Sequence, residues 1–227
     1  MKILVVGDFQ GVFPKKLKRK IKKEDFDLIV GVGDYGGIRD WREWVMADIA
    51  STKRGDGRIS AEDYFGKEKL KKILKKDFQV TKNVLKELDG LKKKGVIVFG
   101  NGDDEWYGYP FGQKRTGIKR KNRDVIKKLK NLKDINYGFT KLNGISFIGF
   151  GGYMDIDAYF DKKEFKESED KKSLKRRKMR REESRRKFES LIKKSKNPRI
   201  FVFHYPPQGV FDIIRDEKDN PMNGKSA

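Results

Sequence analysis

Four blocks of this sequence end an apolar run in residues that can bind a cation or move a proton. They are Gly7-Asp8-Phe9-Gln10-Gly11, Gly33-Asp34-Tyr35-Gly36-Gly37, Gly100-Asn101-Gly102-Asp103-Asp104 and His204-Tyr205-Pro206-Pro207. Each block is weak by itself, because Gly-Asp is a common turn dipeptide and Asn-Gly a common hairpin turn. Asp8 and Asp34 also have a plain reading as helix caps, Asn101 as a turn residue, and His204 as a satisfied core histidine. Their joint order is more specific. Two carboxylates, an amide and an imidazole, without cysteine, suit octahedral manganese, iron, magnesium or a mixed pair, because carboxylate and amide oxygens are hard ligands and imidazole accepts intermediate metals. Two such ions, about 3.5–4 Å apart, can activate a bridging hydroxide and neutralise phosphoryl oxygens. The chemistry implied is hydrolysis.

The elements that must position these donors are legible as short buried strands. KILVVG at the start, DLIVGVGD at 27–34, GVIVFGNGDD at 95–104 and PRIFVFHYPP at 198–207 are compact apolar runs stopped by glycine or proline. In an open α/β sheet, ligands collect beyond the carboxyl ends of the strands, where all four blocks fall. Residues 139–150 read as a hairpin turning at Asn143-Gly144. Lys-rich stretches at 13–23, 67–93 and 120–131 have helical spacing, with Leu70, Ile73, Leu74, Phe78, Val84 and Leu88 as an apolar stripe. Trp41 and Trp44, three apart, are expected to pack a helix.

The chain has 227 residues, enough for one sizeable core, and it is expected to form a single domain over 1–227. A charged, helical insertion is expected at about 157–196, where Leu174 and Met179 are sparse and a packing face emerges only near Phe188, Leu191 and Ile192. Zero cysteine excludes disulfide frameworks, zinc fingers, iron–sulfur clusters and thiol nucleophiles, and a single histidine excludes any three-histidine site. The net charge of +22, from 56 basic and 34 acidic residues, would attract a nucleic acid or nucleotide. The same Lys, Glu and Arg abundance also fits a heat-adapted cytosolic protein. The first strand begins at Lys2, and no apolar run approaches the roughly 18 residues of a membrane span, so a cytoplasmic location without a membrane partner is expected.

Order and strand-end placement together make the sequence resemble the calcineurin-like metallophosphoesterase superfamily, as an archaeal-type member. The family's blocks run Asp-x-His, Gly-Asp, Gly-Asn-His-Asp or Glu, a later His, and a final Gly-His-x-His. The resemblance implies a four-layer αββα sandwich and a phosphoesterase that hydrolyses a phosphodiester or phosphomonoester through a metal-bridging hydroxide. It implies two divalent ions, Mn²⁺ first among Mn²⁺, Fe, Mg²⁺, Ni²⁺ and Zn²⁺. Carried over by position, Asp8 would bind the first metal, Asp34 would bridge both, and Asn101 and His204 would bind the second.

The departures from the family pattern carry chemical weight. Gln10 stands at the first family histidine, where it reads as a weaker amide ligand, a donor to a ligand, or a packing residue. Gly102 stands where the family has the histidine that assists the leaving group, which leaves Asp103 or Asp104 to orient water or donate a proton, a role that needs a raised pKa. The sequence ends at Ala227 before any Gly-His-x-His block and reads as C-terminally incomplete. Trp106, Tyr107 and Tyr109 would either wall the pocket or anchor a loop. A non-catalytic or weakly catalytic RNA- or DNA-binding protein on the same fold is the second expectation. A dinucleotide-binding domain is disfavoured, since the first strand-to-helix loop lacks GxGxxG.

Overall fold

The computed structural model describes residues 1–37, 39–57, 59–100, 103, 124–151, 182 and 185–204. Asn101, Gly102, Asp104, Trp106, Tyr107, Tyr109 and residues 157–181 of the expected insertion lie outside them. The elements run β1 (Ile3–Val6), α1 (Lys15–Ile21), β2 (Leu28–Gly31), α2 (Asp40–Arg54), α3 (Ala61–Phe65), α4 (Lys67–Asp89), β3 (Gly95–Ile97), α5 (Asp124–Lys127), β4 (Leu132–Asp134), β5 (Gly138–Leu142) and β6 (Ile145–Phe150). A helix over 185–194, here α6, precedes β7 (Arg199–Phe203).

Strands β1–β4 form one sheet in that order, and every neighbouring pair is parallel. Parallel strands need both faces covered, and β2 is buried along its whole length. Ile29 and Ile97 face the helical layer, in one cluster with Ile21, Trp44, Leu70, Leu85 and Leu88. Leu28, Val30, Val96 and Val98 point the other way, against Leu142, Phe147 and Val202 of the second sheet. Each buried aliphatic or aromatic side chain contributes about 1.5–3 kcal/mol through removal from water.

The second sheet has order β5-β6-β7, antiparallel then parallel. Its hairpin closes at Leu142↔Ile145 through Asn143 (φ 48°) and Gly144 (φ 83°), a turn with positive φ at both central residues, as the Asn-Gly pair predicts. The far face of this sheet is capped by α6: Phe188 lies 5.6 Å from Phe150 and 5.7 Å from Phe203, ring centre to ring centre. Helices, sheet, sheet and helix thus succeed one another as four layers, with the two apolar clusters between them.

The helices are shorter than their sequence windows, 15–21 against 13–23 and 67–89 against 67–93, and in the 120–131 window the described helix covers only 124–127. The α4 stripe is realised by Leu70, Ile73, Leu74, Val84 and Leu88, while Phe78 is only half-buried. Asp77 and Thr81 complete that buried face. Trp41 and Trp44 pack edge to face at 5.8 Å, and each indole N–H also donates a hydrogen bond, to Asp77 Oδ2 (3.1 Å) and to the Ile59 carbonyl (2.9 Å) respectively.

Candidate metal centre

Beyond Val6 and Gly31 the ladder between β1 and β2 gives way to two loops that stay bonded to each other. Asp8 N–H donates to Gly33 O (3.0 Å), Gln10 N–H to Asp34 O (3.1 Å) and Gly11 N–H to Tyr35 O (3.0 Å). Asp8 and Asp34 both take left-handed backbone angles, φ 52° each, and Gln10 does so at φ 46°. Asp tolerates this region better than most residues, and such angles persist only where the surroundings hold them. The turn is made possible by Gly33, at φ 103°: a Cβ there would lie 2.4 Å from Gly100 N.

Beneath these loops sits an aromatic floor drawn from three strand ends. Tyr35, fully buried, stacks on Phe9 at 6.2 Å and meets Phe99 edge-on at 5.7 Å. Each of these aromatics neighbours a loop residue that bears on the site: Asp8, Asp34 and Gly100. Such pairs add about 0.5–1.5 kcal/mol beyond their burial, and they fix the height of the loops above the sheet.

His204 follows β7, in the other sheet, yet its ring reaches the β2 loop. Nδ1 lies 2.8 Å from the Val32 carbonyl oxygen. A carbonyl oxygen only accepts, so Nδ1 carries the proton, and the neutral ring then has its lone pair on Nε2. Nε2 stands 3.6 Å from Asp34 Oδ1, with 7% of the His204 side chain and 18% of the Asp34 side chain exposed. Gly100 closes the other side: a Cβ there would fall 2.1 Å from Asp34 Oδ1 and 2.6 Å from His204 Cε1. Any side chain would fill that cradle.

Asp103 is wholly buried. Its carboxylate accepts N–H bonds from Gly36 (2.9 Å), Gly100 (3.0 Å) and Tyr35 (3.2 Å), so it ties the β2 and β3 loops together. Burial first, and the charge of Asp34 second, push its pKa well above the usual carboxylate range, while the three N–H bonds oppose that rise.

Of the residues expected at the site, the structure therefore brings together Asp34, His204 and Asp103, and sets Asp8 and Gln10, both exposed, on the loop beside Asp34. Among the described residues no group of three or more His, Asp or Glu side chains converges closely enough to hold an ion. Asn101, the amide donor of the expected set, is outside those residues. The donors present nonetheless fit a divalent cation: a hard carboxylate oxygen, an imidazole nitrogen held in the metal-binding tautomer by a backbone carbonyl, and a cradle kept open by glycine. Two features were missed by the sequence reading. Neither the Phe9–Tyr35–Phe99 floor nor the buried Asp77 carries a motif that marks it in the sequence.

The family model of the calcineurin-like phosphoesterases matches residues 1–223. The chain belongs to this family. Its members are metal-dependent phosphoester hydrolases that typically hold two divalent ions. No curated protein matches the sequence. The parallel sheet with loops gathered at its carboxyl edge is the arrangement expected of a calcineurin-like phosphoesterase, and no described helix is long and apolar enough to cross a membrane.

Proposed function

We propose that this calcineurin-like chain hydrolyses a phosphate ester at the carboxyl ends of β1, β2 and β3, using two divalent ions, with Mn²⁺ preferred for a donor set rich in carboxylate and amide oxygens. Asp8 and Gln10 from the β1 loop, Asp34 from the β2 loop, Asn101 after β3 and His204 after β7 form the ligand set. The observation that carries this reading is the His204 ring, held through Nδ1 to Val32 so that Nε2 faces Asp34. When bound, the ions supply an acidified water and positive charge for the phosphoryl oxygens.

The protein's own residues do the rest. Val32 fixes the imidazole tautomer, and Asp103 holds three backbone N–H groups so that the Asp34 and Gly100 loops keep their separation. Both Asp103 oxygens are taken up in this way, so its part is placement of the loops, not proton transfer to substrate. Gly102 offers no acid for the leaving group, so the reaction favours esters whose leaving oxygen departs without a proton. The test is Mn²⁺-dependent turnover of an activated aryl phosphodiester by the metal-reconstituted protein; no turnover with any divalent ion, despite stoichiometric metal binding, counts against hydrolysis.

A second reading is supported by charge. Residues 15–23, comprising α1 and its C-terminal turn, hold seven Lys or Arg and no acidic residue, on the outer helical layer. A polyanion such as RNA or DNA would bind there with an affinity falling as roughly the 0.9 power of salt per neutralised phosphate. A flat salt response in an anisotropy titration removes this reading.

A further inference from the structure

The loop that follows Asp34 is held from two sides by buried carboxylates belonging to different parts of the chain. Tyr35 N–H and Gly36 N–H donate to Asp103, and the next amide, Gly37 N–H, donates to Asp77 Oδ1 at 2.9 Å. Three successive backbone N–H groups of this kind form a concavity that attracts anions, and here the chain's own carboxylates occupy it. Asp77 Oδ2 accepts the Trp41 indole N–H at 3.1 Å, so the same side chain fixes both the loop and the start of α2.

Asp77 is fully buried in the middle of α4, one helical turn from Ile73 and one from Thr81. An aliphatic residue at that point of the stripe would bury apolar surface, whereas an enclosed carboxylate must recover its lost hydration through hydrogen bonds. Neither the helix nor the core calls for a charge there. The Gly37 N–H of the loop and the Trp41 indole N–H supply such bonds. Thr81 Oγ1 donates to the Asp77 carbonyl at 2.8 Å, and a Cβ on Gly36 would lie 2.2 Å from that hydroxyl and 3.1 Å from Asp77 Oδ1. The helix thus rests directly on the loop backbone two residues after Asp34.

We propose that Asp77 is a positioning residue for the metal centre: through Gly37 and Trp41 it sets the place of the Asp34 carboxylate. This rests on the reading of Asp34 as a metal ligand. The stereochemical reason is that the peptide units from 34 to 37 leave little slack, so a loop released at Gly37 lets Asp34 turn relative to His204. Partners that orient a ligand without touching the ion typically change metal affinity about 10–100-fold when removed.

The test is isothermal titration of Mn²⁺ into the metal-stripped full chain, with thermal unfolding of the same samples. D77N keeps the shape but turns one acceptor into a donor facing an N–H. The expected result is a dissociation constant raised about tenfold or more, with turnover of an aryl phosphodiester recovered at high Mn²⁺. An unchanged dissociation constant alongside a lower melting temperature overturns the proposal. If D77N does not fold, G36A serves: its methyl presses against Thr81, so it should weaken Mn²⁺ binding, and the double variant G36A/T81A should restore it. Equal affinity in wild type and G36A overturns the proposal as well. Absence of Mn²⁺ binding in the wild-type chain sinks the ligand reading and this inference together, whereas normal binding in both wild type and D77N sinks only the latter.

Discussion

His204 and Val32 are 172 positions apart in the chain, yet the imidazole Nδ1–H meets the Val32 carbonyl oxygen at 2.8 Å. This single bond joins the end of β7 in one sheet to the loop after β2 in the other. It also decides the chemistry of the ring, since a donor at Nδ1 leaves the basic nitrogen turned toward Asp34.

Removal of that ring should disarm the site without unfolding the protein. H204A is expected to raise the Mn²⁺ dissociation constant by at least the roughly 100-fold at the top of the range for indirect partners. Its stability should fall by about 1–3 kcal/mol, since the Val32 carbonyl loses this partner and the buried ring leaves a void. Calorimetric titration and urea unfolding measured side by side separate these effects; a loss of stability in H204A with no change in affinity would assign the ring to packing.

Gly100 offers a sharper steric test. It does not have a positive φ, so alanine meets no backbone penalty there, but its methyl would occupy the space 2.1 Å from Asp34 Oδ1 and 2.6 Å from His204 Cε1. G100A should therefore spread the two side chains, weaken metal binding, and cost about 1–3 kcal/mol of stability from overpacking. Wild-type metal affinity in G100A, measured by titration, would mean that the two side chains do not act on one ion.

Asp103 makes stability depend on pH in a defined direction. Its folded pKa lies well above its unfolded value of about 3.9, so below that value the protonated carboxyl carries no penalty in the folded protein. As pH rises from about 4 through the folded pKa, the unfolded chain gives up the proton first, and stability is lost. Urea unfolding of the metal-free protein across this window should show that decline, and D103N should lack it. Parallel pH profiles for the two proteins would contradict the assignment.

Much of this was readable from residue order, and the unreadable parts have physical causes. The strand end at Asp34 announced itself because a parallel strand buried on both faces, as β2 is, is a continuous apolar run that must stop where polar chemistry begins; Asp8 ends a similar apolar run, although β1 lies at the sheet edge with Val5 exposed. The Asn143-Gly144 turn was equally plain, since few residues accept two consecutive positive φ angles. β4 was not legible: Leu132–Asp134 is too short to show a period, and its entry is fixed from a distance by Asp89, whose carboxylate accepts the Asn131 N–H at 2.7 Å and the Leu132 N–H at 3.2 Å. The backbone contacts of Asp77 and Asp103 were not legible for one reason. A carboxylate reads from sequence as solvent-facing or reactive, and only the fold reveals that backbone amides enclose it.

The leaving group should reveal the glycine at position 102. With no side-chain acid there, aryl phosphodiesters, whose leaving oxygen departs as a stable anion, should be turned over faster than alkyl phosphomonoesters. Steady-state kcat/KM with Mn²⁺ on one ester of each class checks this, and the reverse preference would show that another group protonates the leaving oxygen.

The central claim is that Asp34 and His204 share a metal ion. Elemental analysis of wild type and D34N, each reconstituted with Mn²⁺ and desalted, addresses it directly. Wild type should retain bound manganese near two per chain, and D34N should lose most of it while keeping the wild-type circular dichroism spectrum. Retention of the same manganese content by folded D34N would contradict the claim.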